Sequence, residues 1–179
     1  MNAGAAIARG EALWFLHADL RAPADSIARI ETTLARKGAA GGCFALRYPR
    51  SALIYRVSDV VGNLGVRVFG FALGDHGIFC SREAFVRVGG YPIVPILEDA
   101  ELYRRLKRAG RMIQLPASIV SSPRTFEKWG PYRTTCIYFL ILVLYVAGAP
   151  IQWLNRIYRR FHRQSGAIAP TPVLAPVTR

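Results

Sequence analysis

Acidic side chains are scarce in this sequence. Eleven aspartates and glutamates stand against 24 lysines and arginines, giving a formal charge of +13 over 179 residues. That deficit favours a polyanionic partner: a nucleotide diphosphate, an anionic lipid surface or a nucleic acid. Cysteine is also sparse. Cys43, Cys80 and Cys136 are odd in number, widely spaced and form no Cys-x-x-Cys pair. They indicate neither a disulfide framework nor a zinc knuckle, and read as small apolar side chains in a reducing compartment. The first residues hold no long apolar h-region, so no signal peptide is expected, and no internal repeat is present. An apolar run of full bilayer length is missing too. Thr134 to Asn155 carries no charge, but Gly148 and Pro150 interrupt it. The remaining stretch of roughly 14 to 16 strongly apolar residues spans about 24 Å as a helix, against the ~30 Å of a hydrocarbon core.

What is present suits one domain with a real core. A hydrophobic content of 52% and a mean hydropathy of +0.21 hint at membrane contact. Basic residues flank the uncharged stretch on both sides, Arg124, Lys128 and Arg133 before it and Arg156, Arg159, Arg160 and Arg163 after it. No orientation follows from that symmetry. Trp129, Tyr132, Trp153 and Tyr158 look like interfacial anchors. A helix lying in or dipping into one leaflet is expected here, followed by a basic amphipathic helix from Ile151 to Arg163; the alternative is a hydrophobic helix buried against the domain. The chain therefore divides into a domain over 1–130, membrane-associated helices over 131–163 and a proline-containing disordered tail over 164–179.

Periodicity places the remaining elements. Asn2 is positioned to cap a short Ala-rich helix that stops at Gly10, followed by a buried parallel strand from Ala12 to Leu16. Pro23 suits a first helical position, with Ile27, Ile30 and Leu34 as the buried stripe up to Gly38. Gly41 to Tyr48 reads as a strand. Ala52 to Phe69 reads as a helix with Val57, Val61, Leu64 and Val68 as its apolar stripe. Ser81 caps a helix ending at Gly89-Gly90. Glu98, Asp99 and Glu101 open a helix whose far end carries Arg104, Arg105, Lys107 and Arg108, a polarity that suits the macrodipole. Met112 to Leu115 is another strand.

The chemistry sits in two acidic sites. Trp14-Phe15-Leu16-His17-Ala18-Asp19 ends an apolar run in a carboxylate, and Leu97-Glu98-Asp99 precedes a helix. In open α/β sheets ligands sit beyond the carboxyl ends of strands, where Asp19 is expected. Its carboxylate suits Mg²⁺ or Mn²⁺, hard ions that bridge phosphate oxygens. His17 is either a tolerable Mn²⁺ ligand or a hydrogen-bonding group. From the residues alone, Glu98 and Asp99 fit equally a general base and a charged helix start.

The ordered set Asn2-Ala3-Gly4-Ala5, Phe15 to Asp19, Gly41-Gly42, Gly74-Asp75-His76-Gly77-Ile78-Phe79, Gly89-Gly90-Tyr91-Pro92, Glu98 to Leu102 and Arg124 resembles the family-2 glycosyltransferases of the GT-A fold. It is similar to the bacterial subgroup whose first acidic motif reads His-Ala-Asp. The resemblance implies a Rossmann-like α/β fold with a mostly parallel sheet and flanking helices. It also implies inverting, metal-dependent transfer of a sugar from a nucleotide-sugar donor to a lipid or small-molecule acceptor. Asp99 would be the base and Glu98 its neighbour. His17, Asp19 and Arg124 would hold the donor, with Asp19 on the metal, and Gly74, Asp75 and His76 would face the acceptor. Arg124 otherwise reads as one more basic residue beside a membrane helix. Family members carry a strand, helix and strand before the Met-Asn-Ala-Gly stretch, so an N-terminally truncated chain is expected, with Phe15 lining an open sheet edge. The expected location is the cytoplasmic face of the inner membrane, peripheral or monotopic. An inactive membrane-associated fragment or interaction module keeping the acceptor half of the fold is the alternative. A nucleic-acid partner is disfavoured, because the basic residues are scattered and form no recognition helix or stacking platform.

Overall fold

The computed structural model describes residues 1–49 and 52–164. Among these, β1 (Ala12–Trp14), β2 (Leu20–Arg21), β3 (Ala39–Arg47), β4 (Phe79–Ser81) and β5 (Arg111–Ser121) form one sheet in the order β1-β4-β3-β5-β2. The expectation of a mostly parallel sheet is corrected. Only β3 and β5 run parallel, whereas β1–β4, β4–β3 and β5–β2 are antiparallel. An apolar run marks a strand as buried, but its neighbour's direction is set by the connections between strands, which hydropathy does not record.

Alternation along the two central strands supplies both faces of the core. Cys43, Ile78 and Cys80 point to one face, where Leu13, Phe15, Leu102 and Leu106 close over them. Phe44 and Phe79 point to the other, against Ile30, Leu115 and Ile119. Each such buried side chain contributes about 1.5–3 kcal/mol. Burial also pushes the Cys43 and Cys80 thiols up to about 12, so both remain protonated apolar packing groups. Gly41 and Gly42 let the strands approach closely. A Cβ at Gly41 would stand 2.8 Å from Cys80 Cα, and one at Gly42 would stand 2.7 Å from Phe79 Cζ.

Strand limits differ from expectation at two places. β1 ends at Trp14 rather than Leu16, although the Phe15 N–H still donates to Ile78 O at 2.8 Å. β1 is an edge of the sheet among the described residues, and the Phe15 ring just after it is buried, with ring centroids 5.3 Å from Phe85 and 5.0 Å from Tyr91. β5 continues past Leu115 to Ser121 because the β3 register jumps from Phe44↔Leu115 to Ala45↔Ser118. The bulge absorbs Pro116, which has no N–H to give the ladder.

The helices are α1 (Asn2–Ile7), α2 (Ser26–Leu34), α3 (Leu53–Leu64, running on into a π-helical turn Gly65–Phe69), α4 (Arg82–Arg87), α5 (Glu98–Ala109), α6 (Arg124–Trp129), α7 (Pro131–Val146) and α8 (Ile151–Gln164). Asn2 is not a cap. Its side chain holds Tyr91 instead, Nδ2 donating to Tyr91 O and the Tyr91 N–H donating to Oδ1, both at 2.9 Å. α2 starts three residues after Pro23 and buries Ile30 and Thr33, while Ile27 is exposed. Ser81 does cap α4, accepting from Ala84 N–H at 3.1 Å.

α3 faces the opposite way from its predicted stripe. Val57, Leu64 and Val68 are exposed. The inward side buries Tyr55 against Leu46, Tyr48 and Phe126, with Val66 of the π-helical turn in the main core. Beside them Asp59 accepts from Tyr48 N–H at 2.9 Å, and Asn63 pairs with both backbone groups of Leu46 at 3.0 and 2.9 Å, so a second apolar set plus backbone pairing outweighs the longer stripe.

α7 packs one side on the domain through Thr134, Ile141 and Tyr145, the last donating its hydroxyl to Glu101 of α5. Of the four expected anchors, Tyr132 and Trp153 are exposed. Trp129 packs on Phe161 and His162, and Tyr158 stacks on Tyr138. Among the described residues no helix is long and apolar enough to cross a membrane. The expected tail lies outside the described residues beyond Gln164.

Candidate functional site

A cleft of about 470 Å³ opens between the loop after β1, the Gly74–His76 turn, the start of α5 and one side of α7. His17, Asp19, Gly74, Asp75, Glu98 and Asp99, drawn from three separate parts of the sequence, all line it. Arg124 borders a neighbouring cavity of about 360 Å³ that shares Asp19, Leu20, Ser121 and Ser122 with the first. Asp19 thus stands at the junction of the two cavities.

Each side chain is placed for a local reason. β1 gives out at Trp14, and a tight turn closed by Leu20 N–H to His17 O at 3.2 Å exposes His17 and Asp19 at the cleft. A 3₁₀ turn holds Gly74–His76, with the His76 N–H donating to Leu73 O at 3.0 Å. Before α5, Leu97 adopts φ 60°, ψ 24°. This left-handed conformation costs a bulky residue roughly 1–3 kcal/mol and turns the first residues of α5 into the cleft.

Asp99 is the electrostatic centre. Loss of solvent raises its carboxyl most, the neighbouring Glu98 charge adds to that, and the value is pushed up to about 6. The His17 ring and the Tyr91 hydroxyl pull the other way, and Asp75 pushes further up. A carboxylate poised near neutrality, at a cleft wall, is what proton abstraction from a hydroxyl asks for. Tyr48 donates to Asp75 Oδ2 at 3.4 Å, whereas Asp75 Oδ1 is buried without a hydrogen-bond partner. That orphaned acceptor is suited to a ligand hydroxyl.

His76 departs from its expected position. Its ring lies outside the cleft wall, buried, with Nδ1 3.1 Å from Phe44 O. It anchors the turn to β3 and so positions Asp75 from behind. A histidine between two glycines reads from sequence as a loop tip, and the fold turns this one into the core.

Among the described residues no group of three or more His, Cys, Asp or Glu side chains is arranged to hold a metal ion. Asp19 alone offers a hard, exposed oxygen beside both cavities. A single carboxylate oxygen of this kind is a hard donor that would suit Mg²⁺ or Mn²⁺ as one of several ligands.

No family profile matches the chain, and no curated protein does. Its fold matches that of the mannosyltransferase PcManGT from Pyrobaculum calidifontis, solved in complex with GDP-Man and Mn²⁺. The TM-score is 0.57 at 20% sequence identity, over 92% of this chain and 48% of that one. The chain shares the mixed α/β fold of that enzyme and spans about half its length.

The cleft contains residues that sequence reasoning missed. Tyr48, Ser121 and Tyr138 line it, and so does Tyr158, which looked like a membrane anchor. No local motif marks these positions, because β3, β5, α7 and α8 meet there only after folding. Gly74 was expected on the acceptor side, and its role is steric. A Cβ there would overlap the His17 ring and stand 2.6 Å from Asp99 Oδ2. Gly74→Ala is therefore expected to leave thermal unfolding within a few degrees of the parent while lowering the transfer reaction proposed below by about 10²-fold, the scale of a misplacement near 1 Å. Parent-like transfer in that variant would show that the two side chains need not meet there.

Proposed function

We propose that this chain is the acceptor-side part of an inverting, metal-dependent family-2 glycosyltransferase that takes its sugar from a nucleotide-sugar donor. The observation that carries the reading is the cleft placement of Asp99, raised to about 6, beside Glu98, His17 and Gly74. The likeness to a mannosyltransferase fold supports it. In this reading Asp99 accepts the proton of the acceptor hydroxyl. The freed oxygen bonds to the anomeric carbon from the face opposite the leaving group, and the bond from that carbon to the diphosphate oxygen breaks. Asp75 orients the acceptor through its unpartnered oxygen. Asp19 and Arg124, which both line the neighbouring cavity, hold the diphosphate; Asp19 would hold a divalent cation there, which would supply charge neutralisation for the leaving group.

The acceptor is a lipid or a small molecule. Ile96, Leu97, Ile141 and Leu142 give the cleft one apolar wall, which supports an acceptor with an apolar portion. The protein works at the cytoplasmic face of the inner membrane, held there peripherally through α7 and α8.

The test is radiolabelled transfer from GDP- and UDP-sugars to a membrane lipid extract and to free sugars, with and without Mn²⁺. Mn²⁺-dependent label in either acceptor fraction is expected. No transfer from any donor, by protein that binds vesicles, would leave an interaction module as the function.

A further inference from the structure

The membrane reading above assigns contact to α7 and α8, but the most unusual surface of the molecule lies on α3. This helix is apolar on two sides. Its inward side buries Tyr55, with Val66 of the π-helical turn, and anchors to β3 and Tyr48 through Asn63 and Asp59. Its outward side presents Leu53 (75% exposed), Val57, Val60 (64%), Leu64 and Val68 (61%), recurring at helical spacing, with Phe69 exposed at the end of the π-helical turn. Nothing in the described chain covers that stripe. α7 packs beside α3, the Ser58 and Thr135 hydroxyls lying 3.1 Å apart. It too exposes an apolar stripe, made by Phe139, Leu140 and Val143, with Tyr132 at its start.

We propose that the outward face of α3 and its π-helical turn, together with the neighbouring stripe of α7, is the surface by which this protein docks on an anionic lipid bilayer. Charge selects this occupant. Arg56 is exposed on the flank of the α3 stripe, Arg67 reaches Gln114 of β5 and Arg133 lies over the Phe161 ring of α8, so Arg56 is the cation bordering the apolar row, on a chain whose net charge is +13. Apolar side chains backed by basic charge bind the headgroup–acyl boundary of anionic membranes. A second copy of the chain would meet charge of its own sign, each protomer adding +13. Both helices lie along the protein surface and neither is long enough to span, so docking is interfacial. The cleft, whose wall includes Tyr138, Ile141 and Leu142 of α7, is thereby held beside the bilayer.

The experiment is flotation of the whole chain with phosphatidylcholine vesicles, with and without about one-third phosphatidylglycerol. Val60→Glu/Leu64→Glu is compared with Leu140→Glu/Val143→Glu and with Ile93→Glu, a fully exposed site on a different loop. Thermal unfolding of each variant confirms that the fold is retained. The proposal expects binding to anionic vesicles to fall at least about tenfold in the α3 variant, because two apolar insertions become charges. Ile93→Glu should bind like the parent, and Arg56→Gln should weaken binding to anionic vesicles more than to neutral ones. Parent-like binding by the α3 variant, alongside loss in the α7 variant, overturns the α3 docking surface and leaves the membrane reading standing. Failure of the parent to bind either vesicle overturns both. A parent dimer that Val60→Glu/Leu64→Glu dissociates, without vesicle binding, would make the occupant a second copy and reject the bilayer.

Discussion

Asp99→Asn is expected to slow sugar transfer by about 10²–10⁴-fold, the usual loss for a removed general base, while donor affinity stays within a few-fold of the parent. The same change should make the fold more stable at neutral pH. Asp99 is raised from 3.8 to about 6 by desolvation and by Glu98. A carboxyl raised on folding lends stability that is fully present below its unfolded value and is lost as pH rises through its folded value. The parent therefore weakens relative to Asp99→Asn between about pH 4 and pH 6, and above that window the variant should lead by about 1–3 kcal/mol. Denaturant melts at several pH values in the presence of a chelator read this directly. Transfer by the parent should rise with pH through a midpoint near the same value of about 6. A greater loss of rate in Glu98→Gln than in Asp99→Asn would reverse the two roles. Small and equal losses in both would leave the pair as helix N-terminal charges, worth about 0.3–1 kcal/mol each.

Asp19→Ala is expected to abolish the Mn²⁺-dependent part of nucleotide-sugar binding, with thermal unfolding unchanged because the side chain is exposed in a turn. It is the one carboxylate shared by the two cavities. Its removal takes away the protein's hard oxygen for an ion that otherwise relies on phosphate and water. Calorimetry with and without Mn²⁺ separates the effects. The parent should bind the donor more tightly with the ion present, and the variant should show the same weak affinity in both conditions. Mn²⁺-dependent affinity that survives the substitution would remove Asp19 from the metal.

The exposed apolar face of α3 was hidden in the sequence for an instructive reason. Val57, Leu64 and Val68 form a genuine helical stripe, and a stripe normally faces the core. Here the inward side instead buries Tyr55 and Val66, while Asp59 and Asn63 satisfy backbone groups of Tyr48 and Leu46. Leaving a buried backbone group unpaired costs about 1–3 kcal/mol, and that demand together with the second apolar set accounts for the rotation of the helix. Nothing local to residues 52–69 reveals which side the strand needs.

By itself the sequence determined the local devices: the Ser81 cap, the acid-first polarity of α5, the strand β3 with Phe44 buried, and the break after α7 that keeps its helices short. It also determined which chemistry was available, since Asp19 ends an apolar run, Asp75 stands beside glycine, and Glu98 and Asp99 open a helix. Only the tertiary structure decided that three of the four strand pairings are antiparallel, that His76 turns inward to Phe44 while Asp75 faces the cleft, and that Tyr48, Tyr138 and Tyr158 join the wall. It also decided the state of Asp99, because desolvation and the Glu98, His17 and Tyr91 neighbours act through space. The division has one physical cause. Propensity, capping and dipole effects act within a turn or two of the chain, whereas strand direction, helix rotation and carboxylate pKa depend on groups brought together from distant parts of it.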